Sequence, residues 1–117
     1  MDRRFDPRFL TELEVRVTDL AKPARSGAGR MTDISVTGMG VAVPFELAEG
    51  DIVQLDVDDS FLYGIVVHAR ADGSRYVAGV EIQRVLIGGS DMSRILQRAL
   101  QDMLPQVPGV MAGSLSA

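Results

Sequence analysis

The sequence predicts a mainly β domain of about six short strands, a barrel or a sandwich, with one C-terminal helix. Three observations carry that reading. Apolar and polar residues alternate in short runs, as in Leu13, Val15 and Val17 against Glu14, Arg16 and Thr18, which is the period of a half-buried strand. Turn residues separate the runs at short intervals. Beyond Gly88-Gly89-Ser90 the period changes to the three-and-four spacing of a helix.

In chain order, LEVRVTDL is followed by the loop AKPARSGAG, then by the strand candidates RMTDISV and MGVAV. After a Pro44–Gly50 connection come DIVQLDV and a turn at Asp58–Ser60. FLYGIVVHAR and RYVAGVEIQRV then form a hairpin across ADGS, where Asp72-Gly73 is the turn signal. In the first of these, Tyr63, Ile65, Val67 and Ala69 are expected to face inward, leaving Val66, His68 and Arg70 outside. The helix is expected over 91–104, with Met92, Ile95, Leu96, Ala99, Leu100, Met103 and Leu104 on one face, Ser90 as N-cap and Pro105 at its end. Residues 105–117 show no periodicity and are expected to form a flexible tail.

Composition narrows the function. At 117 residues the chain is one domain with room for a core. With no cysteine it has no disulfide, thiol nucleophile or thiolate metal site, and its single histidine, His68, forms no multi-histidine site. No apolar run approaches the ~20 residues of a membrane span, and the N-terminus is too charged for a signal peptide, so a cytoplasmic protein without membrane insertion is expected. The net charge of −4 argues against a general nucleic-acid binder. No catalytic constellation can be assembled, so the chain is expected not to be an enzyme. Asp56, Asp58 and Asp59 lack the glycine and distal glutamate of a calcium loop and read as a turn.

Against this acidic background, DRRFDPR at 2–8 places three arginines in seven residues. Pro7 disfavours helical geometry at Asp6, so Arg4 and Arg8 are ~13 Å apart if the segment is extended. Arginine pairs bidentately with phosphate and with the O6/N7 edge of guanine. A second motif, TDISVTGMG, is expected to place Thr32, Ile34 and Val36 on the core face of a strand. Asp33 and Ser35 then stand side by side outside, with Gly38 and Gly40 following. A carboxylate accepts from guanine N1–H and N2–H, and a serine hydroxyl donates to phosphate oxygen.

In order, R-F-D-P-R (Arg4, Arg8) and D-I-S-V-T-G (Asp33, Ser35, Gly38) resemble the RxxxR and [D/N]xSxxG signatures of the PilZ domain, a bacterial receptor module for cyclic di-GMP. Gly50-Asp51 and Gly79-Val80-Glu81-Ile82 are weaker landmarks of the same family. The resemblance implies a six-stranded antiparallel β-barrel with a C-terminal α-helix: a PilZ domain over 1–104, with an arginine loop at 1–10, the barrel at 12–86 and the helix at 91–104. It implies a cyclic di-GMP site made by Arg4, Arg8, Asp33 and Ser35, with Gly38 leaving room for the ligand. Arg3, just before the first motif, implies a further ligand arginine and an intercalated dimer of cyclic di-GMP. No cofactor beyond this ligand is implied. The resemblance also implies a downstream protein partner in motility or biofilm regulation.

His68 reads as a surface or ligand-rim histidine rather than a general base, and Arg70 is a candidate accessory contact for which a solvated role suits better. Two rival readings are a PilZ-type adaptor that works by protein contacts without nucleotide, and a small barrel binding single-stranded nucleic acid. The second requires basic–aromatic interleaving that is absent beyond RRFDPRF.

Overall fold

A computed structural model describes residues 13–112. Seven strands run in the order β1 (Glu14–Asp19), β2 (Ser26–Ile34), β3 (Gly38–Val43), β4 (Ile52–Val57), β5 (Ser60–Asp72), β6 (Arg75–Ile87) and β7 (Gly109–Ala112). One helix, α1 (Asp91–Ala99), and a single 3-10 turn at Leu104–Gln106 lie between β6 and β7. The first six strands pair antiparallel in the order β3-β2-β1-β4-β5-β6, and β3 pairs with β6 to close a barrel. Closure leaves these six strands with no long free edge.

The barrel interior is aliphatic. Val15, Val17, Met31, Val41, Val43, Val53, Leu55 and Leu62 are all completely buried. Alternation accounts for β1 directly: Leu13, Val15 and Val17 point inward. The same face ends at Asp19, which is buried because its carboxylate accepts from the backbone N–H of Ala21 and Lys22 at the turn into β2. That turn is shorter than the sequence suggests. Ser26–Gly29, expected as loop, are the first residues of β2, with Ser26 paired to Thr18 and Gly29 to Val15 of β1. A Cβ at Gly29 would run into the Ala42 carbonyl, so the glycine permits the close approach of β3.

Alternation fails at β-bulges, where an extra residue shifts the face of everything beyond it. In β5 the inward residues are Leu62, Gly64 and Val66, the opposite phase to that expected for Tyr63, Ile65 and Val67. The register slips between Val66 and His68, so Val67 is the unpaired extra residue and is 48% exposed. Beyond the bulge Ala69 packs against the core while His68 and Arg70 face outward, as expected.

Helix α1 begins at its expected N-cap: Ser90 Oγ accepts from Ser93 N–H at 3.0 Å. It ends five residues earlier than expected, at Ala99. Leu100 to Gln106 instead form a succession of short-range turns, with Met103 N–H donating to the Leu100 carbonyl and Gln106 N–H to that of Met103. Pro105 has no N–H and its ring clashes with the carbonyl four residues back, so an α-helix cannot run through it. The buried face is also rotated. Ser93, Leu96, Ala99, Leu100 and Met103 join the core, whereas Met92 and Ile95 are more than one-third exposed.

The expected flexible tail is structured as far as Ala112. β7 lies parallel to the end of β6, pairing Gly109 with Arg84 and Ala112 with Ile87. Four residues are too few to show a sequence period, and the pairing depends on the β6 edge left open where β3 stops at Glu81.

Candidate functional site

The outer face of β2, β3, β6 and β5 forms an open cleft of about 560 Å³, within the range typical of small-molecule sites (about 300–1,000 Å³). One ladder row crosses all four strands: Asp33 pairs with Gly40, Gly40 with Gly79, and Gly79 with His68. Strand spacing puts the two ends of this row about 14 Å apart at the backbone. Its middle is bare of side chains. A Cβ at Gly40 would collide with the side chains of Thr32 and Asp33, and one at Gly79 with the His68 ring. The two glycines therefore make a floor onto which a polar wall leans from each side.

Asp33 and Ser35 both line the cleft and both are exposed, as the second motif requires. They reach it differently. Asp33 is on β2, beside a register shift between Met31 and Asp33 that leaves Thr32 as the extra residue. Thr32, expected in the core, is consequently exposed and lines the cleft with Asp33. Ser35 lies past the end of β2, in the turn to β3. Its N–H donates to the Gly38 carbonyl at 2.9 Å, and its hydroxyl accepts from Thr37 N–H at 3.3 Å. Val36, also expected inside, is 53% exposed at this turn.

Gly38 lines the cleft, but the space it leaves is occupied by protein. A Cβ there would meet the Val80 carbonyl of β6, so the missing side chain lets β3 and β6 close the barrel. Opposite Asp33, the β5–β6 wall supplies His68, Arg70, Asp72 and Glu81. His68 and Arg70 were legible as outward-facing candidates. Glu81 was legible only as part of the Gly79–Ile82 landmark, because its proximity to Gly38 comes from the β3–β6 pairing. Arg3, Arg4 and Arg8 lie outside the described residues.

The walls are acidic, with the carboxylates of Asp33, Asp72 and Glu81 against one guanidinium, Arg70. No group of three or more potential metal ligands occurs among the described residues. No helix among them is long and apolar enough to cross a membrane.

A second polar cluster sits at the start of α1. Asp59, in the two-residue turn between β4 and β5, accepts from Gly89 N–H at 3.0 Å, Ser90 N–H at 3.2 Å, Ser90 Oγ at 2.8 Å and Ser93 Oγ. Ser60 Oγ bonds Ser93 Oγ at 2.6 Å and accepts from Gly88 N–H at 2.9 Å. The Ser93 and Ser90 hydroxyls, foremost among these donors, hold the Asp59 carboxyl below its ordinary value. This cluster fastens the helix to the barrel.

A closed antiparallel barrel with an open, glycine-floored cleft and a motif carboxylate on its rim defines a small β-barrel module with a candidate ligand cleft. A family model described as PilZ domain matches residues 2–101. The chain therefore belongs to the PilZ domain family, a family of cyclic di-GMP receptor and adaptor modules. Among curated proteins, none matches significantly.

Proposed function

We propose that this protein is a cyclic di-GMP receptor that binds the dinucleotide in the β2–β3–β6–β5 cleft and passes the signal to a protein partner. The observation that carries the reading is the convergence of Asp33, Ser35 and Gly38 on one open cleft. Asp33 accepts from a guanine edge, and Ser35 and Thr32 offer hydroxyls to neighbouring ligand atoms.

The charge balance gives the N-terminal arginines their part. An acidic wall alone repels a dianion, so the phosphates require Arg4 and Arg8, with Arg3 as a third cation. The strand directions suit this. β1 runs antiparallel to β2 with Glu14 opposite Arg30, so the N-terminal end of β1 lies at the Asp33 end of β2. Arg8 is five residues from Leu13, within about 18 Å of it at full extension. Binding then orders the N-terminal segment over the cleft and changes the surface offered to a partner, in the family's role as receptor and adaptor. An intercalated dimer of the ligand fits the presence of Arg3.

Calorimetry with cyclic di-GMP on the wild type, Arg8→Ala and Asp33→Ala, with GTP as control, tests the proposal. The expected result is binding by the wild type alone, at one or two ligands per chain, that weakens with added salt. Absence of heat and of competition with a labelled dinucleotide would sink it.

A further inference from the structure

We propose that Glu81 is a second base-reading group, placed so that the cleft tests both bases of the ligand rather than one. The inference rests on the cyclic di-GMP reading and assigns a residue outside both sequence signatures. Glu81 follows Gly79 by two residues on β6 with buried Val80 between them, so both face the cleft. Its ladder partner is Gly38, while Asp33 is paired with Gly40. The two carboxylate-bearing residues are thus two strands and two residues apart, about 12 Å on the diagonal at the backbone. Between them lies the glycine floor.

Both carboxylates are open to ligand. Asp33 and Glu81 are exposed, and neither side chain is hydrogen-bonded or ion-paired to another described residue. A carboxylate is an acceptor only. Facing a phosphate it repels, and facing the N1–H and N2–H edge of guanine it accepts two hydrogen bonds. Adenine presents an acceptor at N1, where guanine presents a donor, and so leaves the carboxylate unpaired. A ligand with two guanines satisfies Asp33 and Glu81 together. One guanine and one adenine satisfy only one of them.

Asp72 carries the same charge but sits at the β5–β6 hairpin end, paired with Arg75 in the ladder. It serves as the charge control.

The test is calorimetry on the full chain with cyclic di-GMP and with the mixed dinucleotide cyclic GMP-AMP. Wild type is expected to prefer cyclic di-GMP by about tenfold or more, the discrimination one good base contact gives. Glu81→Gln is expected to shrink that ratio about tenfold with an unchanged melting temperature, and Asp72→Asn is expected to leave it unchanged. If wild type binds and Glu81→Gln keeps the full ratio, the second-reader role is wrong while the receptor stands. An equal shrinkage in Asp72→Asn would reduce the effect to net charge and overturn it as well. Failure of the wild type to bind either dinucleotide removes the receptor reading itself.

Discussion

The cleft and the helix junction are both rich in serine, threonine and carboxylate, yet they use them in opposite ways. At the junction Asp59, Ser60, Ser90 and Ser93 bond one another and the backbone of Gly88–Ser90, and Ser60 and Ser93 are completely buried. At the cleft, Asp33, His68, Arg70 and Glu81 are exposed, and Asp33 and His68 lean over two glycines. A polar cluster that satisfies itself holds structure together. One whose donors and acceptors face outward stays open to water or to a ligand. The difference separates the DxS motif at 33–35, the proposed ligand-facing one, from the equally polar DDS turn at 58–60.

Substitutions can break or sharpen this contrast. The largest effect on stability is expected beneath the cleft, not in its walls. Gly38→Ala drives a Cβ into the Val80 carbonyl, a backbone atom that cannot rotate away. It is expected to lower unfolding free energy by about 3 kcal/mol, the upper part of the range for overpacking, as read in urea melts. Retained stability with lost binding would instead return Gly38 to a ligand-clearance role.

Next is the junction. Ser93→Ala deprives Ser60 of its buried partner and Asp59 of a donor, an expected loss of about 1–2 kcal/mol with dinucleotide affinity unchanged. The Asp59 carboxyl also predicts a pH effect. Its folded-state value is depressed below the ordinary 3.8, so the folded state favours the charged form. That contribution is complete well above 3.8 and is lost as pH falls below it through the folded value. Thermal melts between pH 5 and pH 2 should therefore fall less steeply in Asp59→Asn than in the wild type. Equal slopes would remove Asp59 from the acid response.

The smallest stability effect belongs to the cleft wall. Asp33→Asn is expected to change stability by less than about 0.5 kcal/mol while weakening cyclic di-GMP about tenfold or more. Loss of stability comparable to Ser93→Ala would mean the two regions are not different in kind.

Much of the site could be read along the chain because its signature residues are close in sequence. Asp33, Ser35 and Gly38 fall within six positions, and the outward direction of His68 and Arg70 survives as an alternation. What misled the reading was phase. The bulge at Thr32 turned an expected core threonine into a cleft residue, and the bulge at Val67 reversed the inside and outside of Phe61–Val66. Bulges are settled by how the partner strand fits, and a single strand's alternation cannot register them.

By itself, then, the sequence determined the class of fold, the N-cap of α1, the turn chemistry and the residues of the DxSxxG motif, since each depends on neighbours within a few positions. Tertiary structure alone decided four things: the β3–β6 closure, the glycine floor of Gly40 and Gly79, the approach of Glu81 to Gly38, and the docking of β7 on β6. Each joins residues far apart in the chain, and their pairing is fixed by the closure of the whole barrel, where one register pairs the strand ladders and buries the valine face at once.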